Sequence, residues 1–234
     1  MESQSNALEP PINRDLRNCG YLPVSFTSKP PCPRRFEAKL QRAGRKMESG
    51  SAYPRLSTAR FALRPFLLSD IRQLTALAGK HRIADTTVDV PYPYTKEFAR
   101  RWIASHDAAW ERRQALHWAV VNRGACERMV GYAGLVNIDG AMNQAELRFW
   151  IGCGVERTRD GAECCAAVIR FALVNLRLNR LNTFQVARHP LAGHVLAAIG
   201  MHAEGPACKR IFAGDRVEDV ICWTTLLVEW QGHT

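Results

Sequence analysis

From Ser57 to the C-terminus the chain alternates rapidly between short runs of strand period and runs of helical period. Arg60-Phe61-Ala62-Leu63-Arg64 alternates like a half-buried strand and stops at Pro65. Ser69-Asp70 reads as a helix cap, with Ile71, Leu74 and Leu77/Ala78 at helical spacing and Gly79 as the stop. Pro91-Tyr92-Pro93-Tyr94 is a stiff connector, and Thr95 caps a second helix whose apolar face is Phe98, Trp102, Ala109 and Trp110. His117–Val121 and Met129–Ile138 read as strands around a turn at Asn122–Arg128, and Asp139-Gly140 turns the chain into a strand at Ala145–Gly152. The strongest helix is Ala162–Leu176, with Val168, Phe171, Ala172 and Leu176 on one face. A strand Leu181–Ala187, a helix Leu191–Ile199 closed by Gly200, and a hairpin (Lys209–Phe212, turn Ala213-Gly214-Asp215, Val217–Leu227) complete the pattern. The order β-α-α-β-β-β-α-β-α-β-β predicts an α/β or α+β domain with a mixed sheet and helices covering its faces.

Residues 1–55 have a different texture. They hold ten Lys/Arg against five Asp/Glu and seven of the twelve prolines, including Pro10-Pro11 and Pro30-Pro31-Cys32-Pro33. Such prolines break helices and deny strands their donors. Only the basic stretch Arg35–Lys46 has the composition of a helix. The expected organisation is a basic, Pro-rich, disordered extension over 1–55 and one domain over 56–230. Met47-Glu48-Ser49 also reads as an alternative natural start. The extension carries half of the net charge of +10, so the charge excess argues for a solvated tail ahead of a nucleic-acid arm. No apolar run approaches the ~20 residues of a spanning helix, and the polar start is no signal peptide. Eight Cys without a CxxC pair argue against a disulfide scaffold and a structural zinc site, and the cytoplasm is the expected compartment.

Six words of the sequence, in order, resemble the GNAT superfamily of acyl-CoA N-acyltransferases, and within it the Rim-type branch. They are Thr58–Pro65, Pro91–Thr95, Met129–Leu135, Ala145–Gly152, Leu178–Leu181 and Val195–Met201. The resemblance implies the GNAT fold: a central twisted, mostly antiparallel sheet with helices on both faces, in which two strands splay apart. It implies acetyl transfer from acetyl-CoA, as co-substrate and with no metal, to a primary amine. The acceptor would be a protein N-terminus or a small amine, entering between the first two helices and the last hairpin. In such chemistry a base takes a proton from the amine, N–H groups stabilise the oxyanion and an acid protonates the thiolate.

The resemblance also assigns residues. The pantetheine would lie against the backbone of Phe149, Trp150, Ile151 and Gly152. The pyrophosphate loop, written Arg/Gln-x-x-Gly-x-Gly/Ala in the family, falls on Glu156-Arg157-Thr158-Arg159-Asp160-Gly161-Ala162. Here Arg157 and Arg159 stand where glycines are usual, and only Gly161 answers the pattern. Glycines there let the backbone approach phosphate at a helix N-terminus. The two arginines either occlude the site or bind the phosphates themselves, while Asp160 adds an unfavourable negative charge. A charged turn capping a helix explains the same residues without any ligand. His189 and Ala192 replace an Asn and a Ser that contact the cofactor in the family; His189 can replace one hydrogen bond and Ala192 cannot.

Glu146 lies on the strand that faces the thioester in the family, where a Glu is the base; pairing with Arg148 is the structural alternative. The position of the usual Tyr acid falls on Trp223, which cannot supply a proton, so the acid is unassigned. Cys164-Cys165 begin the central helix and read as small packed residues before reactive thiols. Two functions stand at this point: an N-acetyltransferase, or a non-catalytic relative with an eroded cofactor loop serving binding or interaction. The expected partners are the amine acceptor and a second copy of the chain as a homodimer; membrane and nucleic acid are not expected.

Overall fold

A computed structural model describes residues 53–80, 83, 87, 90–124, 127–152, 157–212 and 216–230. The elements are β1 (Leu56–Ser57), β2 (Phe61–Pro65), α1 (Ile71–Ala78), α2 (Lys96–Ala104), α3 (His106–Glu111), β3 (Leu116–Asn122) and β4 (Met129–Asp139), then β5 (Gln144–Ile151) and α4 (Arg157–Arg170). They continue through β6 (Arg180–Val186), α5 (Pro190–Ala198), β7 (His202–Phe212) and β8 (Arg216–Leu226). One eight-stranded sheet runs β1-β2-β3-β4-β5-β6-β8-β7. Every neighbouring pair is antiparallel except β5 and β6.

The sheet separates two cores. Trp118 and Val120 of β3 face the layer of α4 and α5, with Leu147, Val168, Ile169 and Leu196. Ala119 and Val121 face α1 and α2, with Leu74, Ala99, Ile103, Tyr132 and Trp150. Successive strand residues point to opposite faces, so a strand covered on both sides reads as a continuous apolar run. This is why Leu116–Val121 shows weak alternation.

Local chemistry explains most boundaries. The Thr95 hydroxyl accepts from the Phe98 amide at 3.1 Å and opens α2. Gly200 takes φ +78° just after α5, a conformation that favours glycine. Asp139 Oδ1 accepts from the Ala141 and Met142 amides at 2.8 and 3.0 Å, forming the turn between β4 and β5.

Four expectations change. The second helix is two, broken at Ser105, whose hydroxyl donates to the Trp102 carbonyl at 2.7 Å while His106 is buried. Asp70 does not cap α1: its carboxylate turns back to the Leu67 amide (2.8 Å) and pairs with Arg64. The central helix starts at Arg157, five residues earlier than expected, and ends in a π turn at Phe171–Asn175. The strand expected from Lys209 begins at His202, because pairing with β8 draws in residues whose own pattern is polar.

Tyr53 and Pro54 already belong to the folded unit, slightly upstream of the expected start. The Tyr53 hydroxyl donates to the His117 carbonyl at 3.0 Å and accepts from its amide at 2.6 Å, and the Trp118 indole donates to the Pro54 carbonyl at 2.7 Å. The expectations for residues 1–52 and for the turn Ala213-Gly214-Asp215 lie outside the described residues.

Candidate active site

Strands β5 and β6 pair over three positions only: Gln144 with Arg180, Ala145 with Leu181, and Glu146 with Asn182. Beyond Glu146 they part. Strand β5 continues along β4 to the Gly131–Ile151 pair, and β6 continues along β8 to the Val186–Val220 pair. Each strand keeps its ladder on the outer edge, which holds it in the sheet while the inner edges part and open a wedge. An open-mouthed cleft occupies the wedge.

Phe149 and Trp150 of β5 form one wall, and Thr183, Phe184 and Gln185 of β6 with Ala192 and Leu196 of α5 form the other. Leu74, Val90, Tyr94, Phe98 and Trp102 close the end beneath α1 and α2, joined by His117 and Tyr132 from the sheet. Glu146 lies on the wall where the strands part. Its carboxylate accepts from Arg148 Nε and Asn137 Nδ2, both at 3.0 Å. The Arg148 pairing is the structural alternative expected for this residue, and it is present beside the cleft position.

The acyltransferase domain family described as acetyltransferase (GNAT) domain matches residues 60–202, more than half of the chain and all the elements that build this cleft. The chain belongs to the GNAT acetyltransferase family. Among its relatives is "Putative ribosomal N-acetyltransferase YdaF" of Bacillus subtilis (strain 168), 26% identical over 105 residues, or 45% of this chain and 57% of that protein. The match thus spans a little over half of that relative's length. Two solved structures share the fold. A spermidine N-acetyltransferase from Vibrio cholerae, in complex with CoA and spermine, has a TM-score of 0.62 at 17% identity, over 72% of this chain and 96% of that one. A RimL ribosomal-protein α-N-acetyltransferase, in complex with coenzyme A, has a TM-score of 0.66 at 14% identity, over 74% and 98%. The ribosomal acetyltransferase names agree with the Rim-type resemblance.

Of the residues singled out in the sequence, Glu146, Phe149 and Trp150 meet at the cleft of this GNAT domain. Ile151 ends the same strand and Gly152 follows it. Gly152 donates to the Val130 carbonyl at 2.7 Å, and a Cβ there would be a tight fit, 3.0 Å from that oxygen and from Leu77. Gly161 is buried where α4 crosses α5: a Cβ there would lie 3.1 Å from Val195 and 3.9 Å from Ile151. Arg157 opens α4 and Arg159 is exposed within its first turn. Ala162 packs on the core.

Asp160 differs from the expectation. Its side chain is buried against Arg60 of the segment before β2, and Arg60 also binds Glu163 through Nε at 2.7 Å. The charge thought to oppose a phosphate is therefore neutralised from within the fold. His189 is the N-cap of α5, and its carbonyl accepts from Gln185 Nε2 at 3.0 Å. Arg159, Asp160, Gly161, Ala162 and His189 do not line the cleft itself. Trp223 donates its indole N–H to Gln185 Oε1 at 2.8 Å, so that donor is already committed. Cys164 and Cys165 are fully buried, and burial pushes both thiols up, as packed residues rather than nucleophiles require.

Sequence reasoning missed a histidine pair. His106 and His117 stack with ring centroids 4.3 Å apart and 24° between planes, and His117 Nδ1 lies 3.0 Å from the Tyr132 hydroxyl. Burial pushes His117 down to about 4 and His106 down to about 3, with the neighbouring ring adding to the second shift. Both imidazoles are neutral at pH 7. Burial also pushes the Tyr132 and Tyr94 hydroxyls far up, so both stay protonated. The only sequence sign was a polar residue opening an apolar strand, which carries no chemistry until α2, α3 and the sheet converge.

Proposed function

We propose that the protein transfers an acetyl group from acetyl-CoA to a primary amine by direct attack. The observation that carries this reading is the parting of β5 and β6 beyond Glu146, which puts a carboxylate at the point where a cleft opens between two strands. The fit of the residues to the cofactor is good. Beyond Glu146 strand β5 no longer pairs with β6, so this edge of the strand is where backbone amides and carbonyls can meet an extended amide-bearing arm. The first turn of the 14-residue helix α4 offers N–H groups without internal partners to a pyrophosphate, and Arg60 has removed the Asp160 charge from that turn.

In this reading Phe149, Trp150, Ile151 and Gly152 hold the pantetheine arm. The start of α4 (Arg157, Arg159, Gly161, Ala162) and His189 hold the phosphate end, the two arginines replacing glycine backbone with guanidinium forks. Acetyl-CoA, when bound, supplies the acetyl thioester. Glu146 takes a proton from the amine through water, while Arg148 and Asn137 fix its orientation. The ordered wall orients the amine toward β5, and such alignment supplies ~7–11 kcal/mol of a barrier of this kind.

A second reading, a GNAT-fold binding protein without catalysis, is favoured by three departures: Arg157 and Arg159 for glycines, Ala192 for a hydroxyl, and the Trp223 N–H already spent on Gln185. Calorimetry with acetyl-CoA separates the two. The transfer reading expects binding that weakens in the double variant Arg157→Ala/Arg159→Ala. Absence of heat and of thermal stabilisation at millimolar acetyl-CoA rejects it in favour of the second.

A further inference from the structure

One end of the cleft is rich in rings, set among the aliphatic Leu74, Ala78 and Val90. Tyr94 and Phe98 meet edge to face at 5.1 Å, Trp102 meets Tyr132 edge to face at 5.5 Å, and Tyr132 meets Trp150 at 6.2 Å. All five rings line the cleft, and they stand on four different elements: the Pro91–Thr95 connector, α2, β4 and β5. Further rings brace this wall, His117 among them on the cleft side and Phe66 and His106 outside the lining. Phe66 meets Trp102 at 5.1 Å, and the stacked His106 and His117 pack against Trp102 at 4.4 and 5.2 Å. Among the described lining residues the charged ones are Glu146 and Arg148, and these bind each other.

Two demands follow for an acceptor. Its body must match apolar, ring-lined walls, where aromatic pairs gain beyond simple burial. Its ammonium, before it loses a proton, must be recognised by ring faces and one shared carboxylate. A polyamine meets neither demand among the described residues, because its several charges would find one anion and its methylenes carry no ring. Neutral His117 adds no repulsion to an incoming cation.

We infer that the acceptor is a primary amine carried on an aromatic body, a small arylalkylamine, whose ring seats against Trp102, Phe98 and Tyr94 while its nitrogen lies near Glu146. This inference rests on the acetyl-transfer reading of the same cleft and names its substrate class. The nitrogen–acyl bond forms as the carbon–sulfur bond of the thioester breaks. Of the two protons the ammonium loses, one is released to solvent by way of Glu146 and the other leaves on the coenzyme thiol.

The test uses the full chain with acetyl-CoA and three amines: phenethylamine, n-butylamine and spermidine. We expect kcat/KM for phenethylamine to exceed that of the other two by about tenfold or more. Trp102→Ala is expected to remove most of that preference and Trp102→Phe to restore it. Because Trp102 also packs on the core, Phe98→Ala serves as a second variant, with a smaller loss in the same direction. Equal or better use of spermidine or butylamine overturns the inference, as does a preference that survives both alanine variants. Calorimetry of phenethylamine with the protein alone gives a readout independent of acetyl-CoA. If acetyl-CoA does not bind, the transfer reading falls by itself, while saturable phenethylamine binding that Trp102→Ala weakens upholds the ring site and its absence refutes it.

Discussion

The indole N–H of Trp223 donates to Gln185 Oε1 at 2.8 Å, and the Gln185 amide donates in turn to the His189 carbonyl at 3.0 Å, tying β8, β6 and the start of α5 together at the cleft wall. Gly193 sits against this chain: a Cβ there would approach Gln185 Oε1 to 2.5 Å. Gly193→Ala must therefore push Gln185, which is 4% exposed, away from Trp223. The expected loss is about 1–3 kcal/mol, from overpacking and a strained buried bond. Urea unfolding followed by tryptophan fluorescence measures it, and an unchanged midpoint would show that Gln185 moves freely.

The stacked histidines predict acid sensitivity. With pKa values near 3 for His106 and near 4 for His117 against about 6.5 unfolded, the unfolded chain binds more protons below pH 6.5. Their neutral burial is thus compatible with full stability above pH 6.5 and costs stability as pH falls toward 4. Between pH 7 and pH 5 the pair is expected to account for a loss on the order of 3 kcal/mol. Urea midpoints at the two pH values should differ less in His106→Gln and His117→Gln than in the wild type.

Arg60 neutralises Asp160, which is 2% exposed in the first turn of α4. Arg60→Met strands that carboxylate; because the Arg60 side chain is itself about a third exposed, solvent screens part of the change and the expected loss is about 1–3 kcal/mol. Arg60→Met/Asp160→Asn should recover a good part of the loss in thermal denaturation. A single variant as stable as the wild type would mean that the pair contributes nothing.

Glu146→Gln keeps the shape of the side chain and an oxygen for Arg148 or Asn137 but cannot take a proton. If Glu146 is the base, kcat falls by about 10²–10⁴ with acetyl-CoA binding and melting temperature retained. Steady-state kinetics beside calorimetry reads both, and a kcat within a few-fold of wild type removes Glu146 from the chemistry.

The order of elements, the GNAT resemblance and the strand that carries Glu146 were legible in the sequence, because they rest on local rules. Period distinguishes β5 from α4, Thr95 announces α2 three residues before the amide it caps, and Gly200 marks the exit from α5 at a positive φ that glycine favours. Such signals act within a few residues and survive without knowledge of the fold.

Other features have no local signal. The break at Ser105 follows from burying His106 on Trp102 and Phe66, which the continuous apolar face of Phe98, Trp102 and Trp110 conceals. The start of β7 at His202 is set by pairing with β8 across the hairpin. Asp160 read as a charge opposing phosphate until Arg60, a hundred positions away, was brought onto it. The ring wall of the cleft draws on residues from Tyr94 to Trp150, none unusual where it stands. Amino-acid sequence determined which segments are strands and helices and which carboxylate rides on β5. Only the tertiary structure decided which charges cancel and which rings share a cavity, because Coulomb attraction and apolar burial depend on distance in space and are blind to distance along the chain.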